Sequence, residues 1–216
     1  MNAPTRVGVL ASGAGSNLRA LLDAAAAPGF PAEVVLVLSN KRQCGALDIA
    51  RGRSVAALSL PVSDYDNDSE ARDRAIVAAL HQAGVDLVVC AGYNRVLSDS
   101  ILDAFPGAIL NVHPSLLPAF GGGMNAVEDA LAAGVKVSGC TVHLLASGAV
   151  DCGPIVLQAS VPVEDDDDAE TLRNRIHAEE WRLLPDAVRL WATGRLHVAG
   201  RRVSVLAAPR VEEHVR

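Results

Sequence analysis

The chain has 216 residues and a formal net charge of -6, and half of its residues are hydrophobic. This length fits a single domain that can bury a substantial core. Only 3% of the residues are aromatic and acidic residues outnumber basic ones, so neither base stacking nor phosphate neutralisation favours a nucleic-acid partner. No apolar stretch approaches the roughly 20 residues of a membrane span, and no signal peptide precedes the first predicted strand. We therefore expect a cytoplasmic protein without membrane contact.

The first half of the chain alternates short apolar runs with longer segments of helical period, a pattern typical of βαβ units and a parallel sheet. In chain order, we predict a strand at residues 7–11, a helix at 17–26, a strand at 33–38, a helix at 45–51, a weak strand at 55–58 and a helix at 69–83. A strand at 87–91, a helix at 98–105, a strand at 109–112 and a helix at 125–133 follow.

The pattern changes after residue 137. Residues 139–145 and 154–163 are β-rich and close enough to form an antiparallel pair. An acidic run precedes a long predicted helix at 169–193, in which Pro185 predicts a kink or a break. Residues 195–198 and 201–206 predict a terminal hairpin. We therefore predict an α/β, Rossmann-like single domain over residues 1–206, with a mostly parallel central sheet flanked by helices, an antiparallel C-terminal extension of the sheet, and a tail over residues 207–216.

A turn that contains glycines follows the first predicted strand. Gly13 and Gly15 lie in this turn, and Ser16 and Asn17 begin the helix after it. Such a turn aims free backbone N–H groups at an anion, and the positive end of the helix dipole adds to the attraction. A phosphate is the expected ligand, although a tight turn without a ligand stays an alternative on the loop alone. A dinucleotide is disfavoured, because Leu18 stands where that fingerprint needs its third glycine.

Polar side chains cluster at the end of the strand at 109–112. Asn111 and His113 are two residues apart, so their side chains share one face of the strand, and open α/β sheets bind ligands at this end. A carboxamide and an imidazole suit acyl transfer, because both can donate a hydrogen bond to an oxyanion. Asp151, in the turn between the two β-rich runs, is the candidate that orients the ring. A substrate amine would then serve as the nucleophile.

The same residues also allow a purely structural interpretation. An Asn and a His at a strand end are often a capping or core pair, and Asp151 could be only a turn residue. We interpret His143, which alternates with apolar neighbours, as a structural or supporting group. The other histidines show no clustered ligand spacing, so no metal site is predicted; they are His81, His177, His197 and His214.

Five segments, ASGAGSN, AGYNRVL, LNVHPSLLP, GCTVHLL and VDCGPIVLQ, occur in this order over nearly the full length. With them, the chain resembles the phosphoribosylglycinamide formyltransferases, a folate-dependent family of purine biosynthesis. The resemblance implies the formyltransferase fold, 10-formyltetrahydrofolate as formyl donor and 5-phosphoribosylglycinamide as acceptor. Both substrates are small molecules, and the oligomeric state is left open between monomer and homodimer.

The resemblance also implies roles for particular residues. Asn111, His113 and Asp151 would form the catalytic trio. Glu180, in the stretch HAEEWRLLP, would meet the glycinamide end of the acceptor. Two further sets would hold the substrates: the acceptor's phosphate would lie on Gly15, Ser16 and Asn17, and the folate pocket would be lined by Asn94, Arg95, Val96 and Leu97.

The chain departs from the family pattern at several positions. Three glycines and Val127 occupy the region after SLLP, where the family commonly has Pro-Gly followed by a His-bearing segment. Asn94 replaces a frequent Met and makes that edge of the folate pocket more polar. Ser69 stands where an Arg is often found, and Arg72, one turn further on, could take over its role.

Two related enzymes share the donor chemistry. Methionyl-tRNA formyltransferase carries a further C-terminal domain and formyltetrahydrofolate hydrolase an N-terminal regulatory domain, and we expect neither from the extent of this chain. Truncated relatives of either stay alternatives, as does a non-catalytic module that binds a sugar phosphate. Formate release without an acceptor would favour the hydrolase, and binding without turnover would favour the module.

Overall fold

The computed structural model describes residues 3–148 and 150–207. Seven strands form one sheet in the order β3-β2-β1-β4-β5-β6-β7. They are β1 (Thr5–Leu10), β2 (Ala32–Ser39), β3 (Ala56–Ser59), β4 (Leu87–Cys90), β5 (Ile109–His113), β6 (Val137–Leu144) and β7 (Ile155–Pro162). Strands β1 to β5 are parallel, whereas β6 pairs antiparallel with β5 and β7 antiparallel with β6.

The helices of the described residues are α1 (Ser16–Ala25), α2 (Gly45–Gly52), α3 (Ser69–Gln82), α4 (Asp99–Ala104), α5 (Ala126–Ala132) and α6 (Ala169–Ala192). A hairpin of β8 (Leu196–Ala199) and β9 (Arg202–Val205) follows α6. The predicted fold class is confirmed, and each predicted element ends within about two residues of its observed bounds. A short 3-10 helix, Val62–Tyr65, was not predicted. The predicted tail lies, from residue 208 onward, outside the described residues.

Helices cover both faces of the sheet. Val9 and Val37 belong to an apolar layer with α1, α2 and α6, whereas Leu10 and Leu38 belong to a layer with α3 and α4. Successive side chains of a strand point to opposite faces, so a strand that is buried on both faces must be apolar throughout. This is why β4 is a continuous apolar run in the sequence, as are residues 34–38 of β2.

Of the kink or break predicted at Pro185, the break does not occur, because α6 continues through this residue. Leu184 and Val188, on either side of Pro185, are fully buried in the core. This tertiary packing outweighs the loss of one helical N–H donor at the proline. The start of α6 is capped by Asp168, which forms a reciprocal capping box with Thr171.

A crevice opens where the order of the strands reverses. From β1 the chain continues to β2 on one side, whereas β4 lies on the other side of β1. The loops after β1 and β4 therefore diverge at the carboxyl ends of two neighbouring strands. The first loop contains Gly13 and Gly15, the second contains Asn94 and Arg95, and β5 ends beside them at His113.

Arg72 and Asp73 form a buried ion pair on α3, and each side chain is 1% exposed. Nε and Nη2 of Arg72 donate to Asp73 Oδ1 at 3.0 and 2.6 Å, and the Ser98 N–H donates to Asp73 Oδ2 at 2.9 Å. The pair thus joins α3 to the start of α4. The expectation that Arg72 could replace an arginine at Ser69 is wrong, because its guanidinium is turned into this pair.

We predict that Arg72→Met lowers the free energy of unfolding by about 3 to 5 kcal/mol, because Asp73 becomes a buried charge without its cation. Urea denaturation measures the change. Arg74→Met is the control on the same helix, since Arg74 pairs with Glu70 in solvent and should contribute less than about 1 kcal/mol. Equal losses in the two variants would contradict this interpretation of the buried pair.

Candidate active site

The larger of two adjacent cavities has a volume of about 420 Å³ and lies at the carboxyl ends of β4 and β5. Its walls are formed by the loop after β4, by β5 and by the turn between β6 and β7. All the residues predicted for the catalytic trio and for the folate pocket line it: Asn94, Arg95, Val96, Leu97, Asn111, His113 and Asp151. The structure therefore brings these two predicted sets together around one space.

His113 has an oxygen beside each ring nitrogen. Nδ1 lies 3.5 Å from Asp151 Oδ2, and Nε2 lies 3.2 Å from the carbonyl oxygen of Phe120. A doubly protonated ring therefore points an N–H at an acceptor on both sides. The side chain is also buried, which limits its rotation and keeps it directed at these two groups.

Asp151 is held by its turn as well as by its contacts. Its φ of 57° lies in the left-handed region, which Asp tolerates better than most residues. The N–H of Gly122 donates to Oδ2 at 2.9 Å, so the loop with three glycines contacts this carboxylate directly. Gly153 packs against the end of β6, where a Cβ would lie 1.8 Å from the Leu144 carbonyl oxygen. The turn that carries Asp151 therefore requires glycine at position 153.

His143 supports the trio from β6, where it lies opposite Asn111 in the strand register. Asn111 Nδ2 donates to His143 Nε2 at 3.0 Å, and His143 Nδ1 lies 3.3 Å from the Leu144 carbonyl oxygen. Burial lowers the pKa of His143, although the charge of Asp151 opposes the change. A neutral ring with its proton on Nδ1 fits both contacts, and it fixes the orientation of the Asn111 amide.

The smaller cavity has a volume of about 260 Å³ and lies at the carboxyl end of β1. It shares Gly92, Val112 and Pro114 with the larger cavity, so the two spaces adjoin. Its walls include the residues predicted to hold a phosphate and three polar residues of α6: Gly15, Ser16, Asn17, Arg173, His177 and Glu180.

Gly15 is required by the shape of the loop after β1. Its φ is 84°, and a Cβ would lie 2.7 Å from Cα of Ala46 on α2. Gly13 differs, because a Cβ there would meet nothing within 4 Å. Gly15 therefore shapes the turn that ends at the first residue of α1, whereas Gly13 leaves space beside the loop.

Glu180 contacts the predicted phosphate loop. Its side chain is almost completely buried, and Asn17 Nδ2 donates to Oε2 at 2.8 Å. Burial raises the pKa of Glu180 to about 7, against the opposing effect of the Asn17 hydrogen bond. The structure thus places Glu180 in the smaller cavity beside Asn17, and its role at the amine end of an acceptor stays a prediction.

Asn94 connects the two loops of the crevice. Its N–H donates to Ser12 Oγ at 3.1 Å, and its Oδ1 accepts a hydrogen bond from Asn40 Nδ2 at 3.0 Å. Ser12 Oγ in turn donates to Asn40 Oδ1 at 2.6 Å. The side chain of Asn94, which departs from the family pattern, is therefore hydrogen-bonded to Asn40, the residue after β2.

Sequence reasoning missed several residues that line the cavities. Tyr93 and Met124 line the larger one, and Met124 is 72% exposed. Arg173 and His177 line the smaller one. They precede Glu180 by seven and three residues, so the three side chains share one face of α6. This helical spacing was the signal that could have identified them.

Within residues 3–148 and 150–207, no three His, Cys, Asp or Glu side chains are grouped as ligands for a metal ion. No helix in the described part of the chain combines the length and the apolar character needed to cross a membrane. The four cysteines, Cys44, Cys90, Cys140 and Cys152, are free thiols.

A family model described as formyl transferase matches residues 5–188, which include every residue predicted for the site. The chain belongs to the formyl transferase family. The phosphoribosylglycinamide formyltransferase of Mycobacterium tuberculosis is 50% identical over 200 residues, which are 93% of this chain and 91% of that protein. These findings confirm the resemblance that the five sequence segments indicated.

Solved structures of family members show the same fold. Glycinamide ribonucleotide transformylase 1 of Symbiobacterium toebii superposes with a TM-score of 0.92 at 48% identity, over 96% of each chain. The phosphoribosylglycinamide formyltransferase of Brucella melitensis superposes with a TM-score of 0.82 at 45% identity, over 91% of this chain and 100% of that one. The formyl transferase fold therefore extends over both cavities.

The burial of Glu180 predicts how the stability of the protein depends on pH. Its pKa is raised from an ordinary 4.5 to about 7, so folding favours its neutral form. The stability from this group is fully present below pH 4.5 and is lost as the pH rises through 7. At 1.36 kcal/mol per pKa unit, the free energy of unfolding of the original chain should fall by up to about 3 kcal/mol between pH 4.5 and 8 because of this group. We expect this fall to be absent in Glu180→Gln.

Urea denaturation at several pH values measures this difference. Glu179→Gln, next to it but paired with Arg182 on the surface of α6, is the control and should keep the pH profile of the original chain. Parallel pH profiles for the original chain and Glu180→Gln would contradict the assignment of the raised pKa.

Proposed function

We propose that this protein transfers the formyl group of 10-formyltetrahydrofolate to the amine of 5-phosphoribosylglycinamide, a step of purine biosynthesis. One observation carries the proposal: the cavity with the phosphate loop adjoins the cavity with Asn111 and His113 through shared walls. A substrate with a phosphate at one end and an amine at the other can therefore occupy both. The names of the similar enzymes support this choice of acceptor.

The smaller cavity suits the phosphate end of the acceptor. The N–H groups of Gly15, Ser16 and Asn17 lie at the start of α1, where the helix dipole attracts negative charge. From this loop, the acceptor extends past Gly92 toward β5. Its amine then reaches the larger cavity, and Glu180 lines the path beside Asn17.

The larger cavity suits the formyl donor. Its volume lies within the roughly 300 to 1,000 Å³ of typical small-molecule sites. Val96, Leu97 and Met124 give it apolar walls for the flat ring system of a folate. Arg95 adds a cation whose charge is complementary to the carboxylates of the folate's glutamate tail. These features support a folate as donor, and the folate supplies the activated formyl group.

The proposed reaction is a direct attack of the neutral acceptor amine on the formyl carbon. A carbon–nitrogen bond forms and the formyl oxygen becomes an oxyanion, to which the Asn111 amide and protonated His113 donate hydrogen bonds. The bond from the formyl carbon to the folate nitrogen then breaks. That nitrogen gains a proton and the former amine loses one, through water. Donation from His113 Nε2 shares or replaces its contact with the Phe120 carbonyl.

Asp151 and His143 keep the two donors oriented during this reaction. The Asp151 carboxylate lies 3.5 Å from Nδ1 of His113 and orients the ring, so that Nε2 is directed at the reacting groups. Neutral His143 accepts one hydrogen bond from the Asn111 amide, which leaves the second N–H of that amide for the oxyanion. Holding both groups in place before the reaction reduces the reorganisation that the transition state needs.

We predict that His113→Ala and Asp151→Asn each lower kcat by about 10²-fold or more, since each removes an oxyanion donor or the charge that supports it. Steady-state assays with both substrates measure this. His197→Ala, on the exposed β8 strand, is the control and should leave kcat unchanged. Near-normal turnover in both site variants would contradict the assigned roles.

The function itself is tested by a spectroscopic assay of donor consumption with and without 5-phosphoribosylglycinamide. We expect consumption only when this acceptor is present. Release of formate without the acceptor would instead indicate a hydrolase. Binding of both ligands without turnover would indicate a non-catalytic module.

A further inference from the structure

The smaller cavity contains little permanent positive charge for a ligand with a phosphate. Among its described lining residues, Arg173 is the one side chain that is cationic at every physiological pH. Burial lowers the pKa of His177, and the charge of Arg173 lowers it further. Glu180 is an acid. A phosphate monoester carries a charge of about -1.5 to -2 at pH 7, so a cation beside the neutral N–H groups of the loop would strengthen its binding.

Arg173 already has a partner in the structure. Its Nη2 atom forms an ion pair with Glu128 Oε1, on α5. The side chains are 39% and 48% exposed, and ion pairs at such exposure contribute little to stability. A phosphate dianion is a better partner, because it can accept two charge-assisted hydrogen bonds from one guanidinium. Arg173 can therefore exchange Glu128 for a phosphate as its ion-pair partner with little loss of stability.

We propose that Arg173 is the cationic partner of the acceptor's phosphate and that Glu128 competes with the phosphate for it. Phosphate binding draws the guanidinium from Glu128 toward the loop at Gly15 and Ser16. Before binding, the ion pair holds the long arginine side chain beside the cavity. The identity of the acceptor rests on the proposed function, whereas the exchange of partners needs only a phosphate.

The position of Glu128 fits this exchange. Glu128 lies in the first turn of α5, where the helix dipole stabilises a negative charge. Its side chain is also 48% exposed, so water can solvate the carboxylate after Arg173 leaves. Arg173, His177 and Glu180 lie on one face of α6, so Arg173 needs no movement of the helix to contact a ligand in the cavity.

Opposite effects of two substitutions test the proposal. Titration calorimetry would measure the Kd of ribose 5-phosphate, of 5-phosphoribosylglycinamide and of the same glycinamide without its phosphate. We expect Arg173→Met to weaken binding of both phosphorylated ligands by about tenfold, and Glu128→Gln to strengthen it by about two- to fivefold. Binding of the unphosphorylated ligand should not change. In the double variant, Glu128→Gln should add no further effect.

Arg182→Met and Glu179→Gln are the matched controls, because they form an Arg–Glu pair on the same helix that lines neither cavity. Neither should alter any Kd. Weaker phosphate binding in both Glu128→Gln and Arg173→Met would overturn the proposal, since it would mean that the pair only holds α5 against α6. Equal losses for phosphorylated and unphosphorylated ligands in Arg173→Met would also overturn it.

The same titrations separate this inference from the proposed function. Opposite shifts for ribose 5-phosphate in a protein that transfers no formyl group would support the role of Arg173 and refute the transferase proposal. Formyl transfer by the original chain, together with unchanged phosphate binding in Arg173→Met, would support the transferase proposal and refute the role of Arg173. Failure of the original chain to bind either phosphorylated ligand would refute both.

Discussion

The two cavities depend on one feature of the sheet: β1 and β4 are neighbours, but the loops that follow them turn apart. One loop becomes the turn at Gly15, and the other becomes the wall around Arg95. Hydrogen bonds among Ser12, Asn40 and Asn94 hold the two loops at a fixed separation. Because β5 is the next strand along, Asn111 and His113 line the larger cavity, while Val112 and Pro114 line both cavities.

Buried charge has two different uses in this fold. Arg72 and Asp73 pair with each other, and Asp73 also accepts a hydrogen bond from the Ser98 N–H, so the pair joins two helices. Nη1 of Arg72 has no hydrogen-bond partner among the described residues. Glu180 has one hydrogen-bond donor, from Asn17, and its raised pKa reflects the remaining cost of burial. Ionisable groups with incomplete compensation in a cavity are typical of functional sites, where a ligand supplies the missing contacts.

Much of the fold was predictable because the signals are local. Apolar runs and helical periods predicted the strands and helices, and the spacing of Asn111 and His113 predicted their shared face. Two contacts were not predictable in this way: His143 meets Asn111 only through the antiparallel register of β5 and β6, and Asp151 meets Gly122 only through a tertiary contact. The turn between the two β-rich runs made Asp151 a candidate partner of His113, whereas the folate was predicted from the resemblance to a family alone.

Tertiary packing decides what local rules leave open. A proline can kink or break a helix, and the buried core keeps α6 continuous through Pro185. Arg72 was expected to replace an arginine at position 69, but the ion pair with Asp73 buries it. The sequence predicted only Glu180 of α6 for the site, and the structure adds Arg173 and His177, which line the smaller cavity with it. The surroundings of these residues are set by tertiary contacts with parts of the chain that are distant in sequence.

The most direct test is a crystal structure with 5-phosphoribosylglycinamide and a folate analogue that lacks a transferable formyl group. It would show whether the phosphate binds in the smaller cavity and the folate in the larger one. The phosphate should accept hydrogen bonds from the loop at Gly15 to Asn17. The amine should lie near Asn111 and His113, about 3 to 3.5 Å from the position of the formyl carbon. A phosphate bound outside the smaller cavity, or an amine directed away from Asn111 and His113, would contradict the proposed site.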